Sequence, residues 1–461
     1  MSNSRRNFLQ KLGATSALLT ASTSFASADT IEERIIQIEK RFGSNDKVRI
    51  GVIGMGIIGH IDLVCALKVP GVELAGVCDL YEGRLVRAKE KFGNEIFVTR
   101  DYRELIARKD IDAVLVCTSD HWHDHISIAA MKAGKHVYCE KPMVHHINEG
   151  HAVIQTQKET GKVFQVGSQT ASSAITAEIK KYFKEGIIGD LSFVEIFTDR
   201  NSANGAWQYT VPTDASAATT NWDKYLGDAP KRPFEANRFF RWRNYKEYGT
   251  GVAGDLVIHQ LTELHSVTDS FGPKKIFSMG AINYWKDGRD AYDLVNSMFV
   301  YEKSETHPAF QFITRVNLAD GAGGGSRSRY IGTEGVIEMV GGGFKINHFK
   351  RPIAPSIGGY DALETFSKAE QEESLKAYNA KYTEADKKLN KFDEIVFKVP
   401  QGYDSRLDHM FNFFGGIRDS KPIYEDATFG LRAAGPALAC NISVEKQSAI
   451  KWDPIKMKVV G

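Results

Sequence analysis

"VRIGVIGMGIIGH", residues 48–60, is the stretch that decides the fold. A short β-branched run leads into Gly54-Met55-Gly56-Ile57-Ile58-Gly59, and a helical pattern, "HIDLVCALKV", follows. In a strand–turn–helix setting, the first glycine permits the tight turn and the second lets the backbone approach a pyrophosphate. The third lets the helix pack close to the strand, with the helix N-terminus and Ile57 and Ile58 facing the phosphates. Asp79 ends the next apolar run, "VELAGVCD", twenty residues beyond Gly59. A carboxylate there accepts hydrogen bonds from the adenosine ribose hydroxyls and repels a 2′-phosphate. NAD is therefore expected in preference to NADP.

Outward from this motif, "DAVLVCT", "KHVYCEK" and "KVFQVGSQ" read as further buried strands, separated by amphipathic segments such as "YEGRLVRAKEKFG" and "HISIAAMKAG". Alternation of this kind predicts a doubly wound parallel sheet, a Rossmann domain over residues 47–168. Residues 169–461 follow a different pattern. "DLSFVEIFTDR", "LVNSMFVYE", "FQFITRVNL" and "GVIEMVGGGFKINHF" are longer runs of alternating character. They predict a C-terminal α+β domain with an open, mainly antiparallel sheet covered on one face. A charged helical insertion is expected at about 361–391, and two late helices close the chain.

The 461 residues carry a formal net charge of +2, too little to attract nucleic acid or an anionic membrane surface. Residues 1–28 read as a twin-arginine signal. Arg5 and Arg6 precede a mildly apolar stretch, and Ala26-Ser27-Ala28 supplies a small-residue cleavage site. The stretch is too short to span a bilayer stably, so no membrane span is expected in the mature chain. A periplasmic location follows, reached through the twin-arginine translocation machinery. Cys65, Cys78, Cys117, Cys139 and Cys440 form no CxxC pair and sit mostly in apolar runs, as buried free thiols do. Free thiols fit a chain that folds in the reducing cytoplasm before export.

At "CTSDHWHDHISIAAMKAGKHVYCEKPM", residues 117–143, the chain resembles the Gfo/Idh/MocA oxidoreductases. "GTGVAGDLVIHQLTELH" and the closing "GLRAAGPALA" extend the resemblance from Lys47 to nearly the C-terminus. It implies a substrate-framing second domain that often mediates homo-oligomers. It also implies that Glu140-Lys141-Pro142 sets Lys141 by the reacting carbon and Glu140 by the cofactor, with His123 at the strand-end turn near the nicotinamide. Thr118 and Gln169 join the expected cofactor contacts. The family's catalytic Asp-x-x-x-His falls on Asp255 and His259, and a spacing of four places both on one helix face, with Glu263 continuing the polar stripe. His259 would take the proton of the reacting hydroxyl, Asp255 would position the substrate, and Lys141 would assist the proton transfer. His121, His123 and His125, or Asp255, His259 and Glu263, have metal-ligand residue types, but the cofactor logic accounts for them without a metal.

Between Asp199 and Gly251 the periodicity is weak and aromatic residues are dense. Tyr209, Trp222 and Trp242 offer flat faces to a sugar ring, and Arg241 and Arg243 offer hydrogen bonds to its hydroxyls. A carbohydrate or polyol substrate is expected. An exported NAD enzyme must hold its cofactor tightly, so the nicotinamide has to be regenerated in place. Three readings remain open: a sugar oxidoreductase, a redox-neutral glycosidase with Tyr209 as a candidate further base, and a non-catalytic periplasmic sugar-binding protein.

Overall fold

The computed structural model describes residues 47–461. Residues 1–28, read above as an export signal, lie outside the described residues. Six parallel strands, β1 (Val48–Ile53), β2 (Val72–Cys78), β3 (Phe97–Thr99), β4 (Ala113–Val116), β5 (His136–Glu140) and β6 (Phe164–Gly167), form one sheet. Their order is β3-β2-β1-β4-β5-β6. Ile50, Val52, Val114, Val116 and Val137 are fully buried, because helices cover both faces of the sheet. The order reverses between β1 and β4, and the crevice at that switch point is where this architecture binds nucleotides.

The second sheet has eleven strands. Its middle consists of β7 (Leu191–Asp199), β8 (Lys275–Ala281), β9 (Leu294–Tyr301), β10 (Phe310–Asn317), β11 (Gly325–Gly332), β12 (Gly335–Val340) and β13 (Gly343–Lys350). These run β13-β12-β11-β7-β10-β9-β8, with shorter strands at both margins. β7 and β10 are parallel, and the other neighbours in this run are antiparallel. Burial alternates along β9 and β10. Phe299 and Phe312 stack at 5.1 Å on the covered side, while ion pairs such as Arg329–Glu195 and Lys345–Glu338 occupy the open side. Within the stretch expected as a charged insertion, the helix Lys368–Lys381 buries no residue.

The two late helices return to the first domain. Helix Ser405–Asp419 lies against helix Ile57–Ala66 and β6, and Gln165 Nε2 donates to the His409 carbonyl at 2.8 Å. The Val166 N–H donates to the Glu425 carbonyl at 2.9 Å, so the edge strand β6 is covered rather than left open. The five cysteines are free and buried. No described helix is long and apolar enough to cross a membrane.

Candidate active site

The glycine turn explains itself sterically. Gly54 sits at φ +93°, and a Cβ there would stand 2.4 Å from the Cys117 carbonyl oxygen. A Cβ on Gly59 would stand 1.9 Å from the Gly54 carbonyl oxygen, so strand and helix can meet only without it. Gly56 differs: a Cβ would find nothing closer than the Arg84 guanidinium at 3.8 Å. Its outer side is open, as a pyrophosphate requires. Asp79 Oδ2 accepts the Met55 N–H at 2.7 Å and Oδ1 accepts the Tyr81 N–H at 2.9 Å. Arg84 Nη1 stands 3.4 Å from Oδ2. The carboxylate is thereby fixed at the lip of a cavity of about 320 Å³, lined by Gly54, Gly56, Ile57, Ile58, Asp79 and Thr118. These residues fit a dinucleotide.

The same cavity has a roof from the second domain. Tyr225, Phe239 and Phe240 line it beside Leu80 and Arg84. The roof is anchored by backbone bonds: the Glu82 N–H donates to Thr219 at 3.0 Å and the Asn221 N–H to Leu80 at 2.9 Å. Trp122 Nε1 donates to the Tyr225 carbonyl at 2.8 Å, and Lys224 pairs with Asp101 at 2.8 Å. Tyr81 joins Trp222, Tyr225, Phe239, Phe240, Tyr245 and Tyr248 in one buried aromatic cluster.

At the other end, Tyr209, Trp242 and Arg243 line the cavity, close to where Lys141, Asp255 and His259 meet. Lys141 leaves the end of β5 and donates to the Asp255 carbonyl at 2.7 Å and to Asp255 Oδ1 at 2.8 Å. Arg243 Nε donates to the same Oδ1 at 3.1 Å. These two cations outweigh burial and hold the Asp255 carboxyl well below the usual range. Asp255 lies in a π-helical turn, Ala253–Val257, that runs into the α-helix Ile258–Thr268; local π-turns are frequent at functional sites. His259 follows one turn on. Burial first, then the Lys141 charge, pushes its imidazole down to about 3. It is neutral at any working pH.

A model of the Gfo/Idh/MocA oxidoreductases, described as an oxidoreductase family with an NAD-binding Rossmann fold, matches residues 48–168. The nucleotide domain of this chain is thus similar to that of the Gfo/Idh/MocA family. Inositol 2-dehydrogenase of Salmonella typhimurium is 33% identical over 144 residues, 31% of this chain and 43% of that protein. A glycosyl hydrolase family 109 protein of Shewanella baltica is 30% identical over 203 residues, 41% of this chain and 44% of that protein. The chain thus spans less than half the length of these curated relatives. Among solved structures, levoglucosan dehydrogenase in complex with NADH and L-sorbose superposes with a TM-score of 0.62 at 16% identity, over 89% of this chain and 100% of that one. An oxidoreductase from Thermotoga maritima gives 0.62 at 17%, over 89% and 100%. At such identities the likeness is one of fold.

Several residues that the family pattern assigns to the cofactor do not line the cavity. His123 is buried between the Pro142 carbonyl at 2.6 Å and the Thr118 carbonyl at 3.2 Å, so it ties the Glu140-Lys141-Pro142 turn to the end of β4. Glu140 Oε1 accepts from Gln169 Nε2 at 2.8 Å. Its carboxyl also hydrogen-bonds that of buried Asp62, so one of the two acids holds a proton. Gly59 serves packing alone. Of the five residues expected at the substrate, Tyr209, Trp242 and Arg243 line the cavity. Trp222 belongs to the aromatic cluster and donates to the Arg232 carbonyl, while Arg241 Nε donates to the Tyr209 carbonyl at 2.7 Å and so holds the loop. Glu263 leaves the polar stripe and accepts from Ser328 and Tyr330, both at 3.0 Å. Among the described residues no three His, Cys, Asp or Glu side chains converge as metal ligands. His121 instead binds Ser119 and the Tyr225 carbonyl.

The cavity residues that the sequence reading missed include Leu80, Arg84, Phe239 and Phe240. Arg84 lies five residues past Asp79 on the next helix, a spacing that sequence does show. The roof residues come from a segment with no periodicity, and only its aromatic density signals them.

Proposed function

We propose that this chain is an NAD-dependent oxidoreductase acting on a CH–OH group of a sugar or polyol. The observation that carries the reading is the meeting of Lys141, Asp255 and neutral His259 beside Arg243, which lines the cavity and bonds Asp255. Bound NAD supplies the acceptor for the hydride that leaves the carbinol carbon with its electron pair. His259 takes the hydroxyl proton as the carbonyl forms. The Lys141 ammonium has three N–H donors and spends two on Asp255, leaving the third for the substrate oxygen. Asp255 holds Lys141 and Arg243 in place and positions the substrate. The fixed Asp79 carboxylate supports NAD over NADP.

The anchored roof supports a cofactor that stays bound through turnover. The roof is held beside the cavity by an aromatic cluster and several backbone hydrogen bonds. A retained nicotinamide is reoxidised in place by a second substrate, a carbonyl compound that takes the hydride back. Retention also reconciles an NAD enzyme with the arginine pair at Arg5 and Arg6: the protein would fold and load in the cytoplasm and be exported full. Purification without added cofactor, followed by denaturation and mass spectrometry of the supernatant, tests this. Near-stoichiometric NAD is expected. Empty protein that exchanges NAD freely would overturn retention, and the export scheme with it.

A second reading, redox-neutral glycoside cleavage, is favoured by the family 109 relative. It uses the same first oxidation, then elimination, hydration and reduction. Burial pushes the Tyr209 phenol up, which weighs against Tyr209 as the further base. Chromogenic glycosides separate the readings: aglycone release with no net change in bound NAD means cleavage, and ketosugar formation with a reduced second product means oxidoreduction.

A further inference from the structure

Gly56 and Arg84 face each other on the open side of the glycine turn. A Cβ on Gly56 would have the Arg84 guanidinium as its nearest neighbour, with Cζ and Nη2 at 3.8 Å and Nη1 at 4.0 Å. A cation therefore stands at the edge of the space that a pyrophosphate needs.

Arg84 is available to an anion. Nη1 reaches Asp79 Oδ2 at 3.4 Å, long for a charge-assisted bond, and among the described residues Nε and Nη2 have no hydrogen-bond partner. The Arg84 side chain is 29% exposed, against 3% for Asp79. The other cations lining the cavity are engaged with other groups: Arg103 and Lys224 with Asp101, Arg243 with Asp255, and Arg100 with the Leu80 carbonyl.

The guanidinium is also braced from the second domain. Its carbon lies 5.7 Å from the centre of the Phe239 ring and 5.5 Å from that of Phe240, within cation–π range. Both rings are buried and pack edge to face on each other at 4.9 Å, and Phe240 packs edge to face on Tyr81 at 5.1 Å. A side chain restrained in this way loses less freedom on binding a ligand than a free surface arginine does. Its planar fork suits phosphate oxygens in both geometry and charge. It also offsets the carboxylate that Asp79 places beside the turn.

We propose that Arg84 binds the pyrophosphate of the cofactor over Gly56 and that Phe239 and Phe240 hold it there, so that the second domain grips the nucleotide through this one side chain. This rests on the NAD reading above and adds to it one binding residue and two positioning residues.

The test uses the full chain stripped of nucleotide, titrated with adenosine and with ADP-ribose in a calorimeter. Arg84→Gln should weaken ADP-ribose roughly 10- to 100-fold, the worth of a hydrogen bond to a charged group, and leave adenosine binding unchanged. Added salt should weaken ADP-ribose binding more steeply in the wild type than in Arg84→Gln. Phe240→Leu should weaken ADP-ribose several-fold when Arg84 is present and not at all in the Arg84→Gln background. Phe239→Leu repeats this comparison if Phe240→Leu folds poorly. Equal losses for adenosine and ADP-ribose would place Arg84 at the base and overturn the pyrophosphate assignment. An Arg84→Gln protein with full ADP-ribose affinity would overturn the contact altogether. A phenylalanine variant that costs as much without Arg84 as with it would overturn the grip through Arg84, since the ring would then touch the nucleotide itself. In all three cases wild-type binding of ADP-ribose leaves the NAD reading standing. Wild-type protein that binds neither probe would overturn that reading and this inference together.

Discussion

Lys141 is bound to Asp255 twice, through its backbone carbonyl at 2.7 Å and its Oδ1 at 2.8 Å. One residue ends a strand of the nucleotide domain and the other lies in the π-turn of the second domain, so this contact joins the two halves of the site. Lys141→Met removes the donor and leaves Asp255 with Arg243 alone. Turnover should fall by roughly 10²- to 10⁴-fold, with bound NAD retained. Asp255→Asn strands two cations and should cost roughly 3 kcal/mol of stability as well as activity. Single-turnover reduction of bound NAD, with thermal unfolding alongside, checks both. A fully active Lys141→Met protein would remove Lys141 from the mechanism.

The glycines of the turn should fail in different ways. Gly59→Ala puts a methyl 1.9 Å from a backbone oxygen, and no side chain can move to relieve it, so little folded protein is expected. Gly56→Ala meets nothing within 3.8 Å and intrudes only on the space for the pyrophosphate. That variant should fold and carry little NAD. Nucleotide content per folded protein, measured after denaturation, distinguishes the two. A Gly56→Ala protein with full NAD content would mean that the pyrophosphate does not pass there.

These two positions also show what sequence makes legible. The nucleotide domain was readable because its constraints are local: a strand, a turn that tolerates no Cβ, a helix, and an acid at a fixed distance. Asp255 and His259 were picked out by the family resemblance, with their spacing adding only that they share one helix face, and the π-turn that carries Asp255 was not legible. The roof was hidden, since Tyr225, Phe239 and Phe240 lie in a segment whose order comes from packing on Tyr81 and not from any repeat. His123 and Gln169 match family positions near the cofactor, but whether a side chain faces the cavity or braces the turn behind it depends on partners far away in sequence, such as Pro142 and Glu140. For the same reason Trp222 reads as a substrate contact when it packs in the aromatic cluster behind the cavity wall.

Asp79 is the test of cofactor choice. Its carboxylate organises the Met55 and Tyr81 N–H groups, and Arg84 stands beside it. In Asp79→Ser the acceptor for the ribose is weakened, the repulsion is gone, and Arg84 is freed to meet a 2′-phosphate. Protein stripped of nucleotide and titrated with each dinucleotide should change from strong NAD preference to parity or NADP preference, a shift of roughly 10²-fold in the affinity ratio. Wild-type protein that binds NADP more tightly would remove the discriminating role from Asp79.

Acid should weaken this protein before its carboxylates titrate. Burial pushes His259 and His265 down to about 3 and His121 and His409 down to about 4. Each is neutral when folded, whereas in the unfolded chain each gains a proton near pH 6.5. Between those values the unfolded state binds more protons, so stability is complete above about pH 7 and is lost as the pH falls through 6.5 toward 4. Raised acids, Glu140 and Glu263 among them, work in the opposite direction and soften the slope. His265 isolates the effect, since it lies away from the site and its ring bonds only Tyr301 Oη, at 2.9 Å. His307 and Arg432 are the charged groups that lower it further. His265→Gln should remove roughly 2 kcal/mol of the loss between pH 6.5 and 5, at about 1.4 kcal/mol per pH unit. Denaturant unfolding of both proteins at a series of pH values measures it. Parallel pH profiles would mean that His265 takes up its proton without unfolding. The acid limb of kcat/KM should likewise show no step at pH 6.5 from His259, because the base is already deprotonated there.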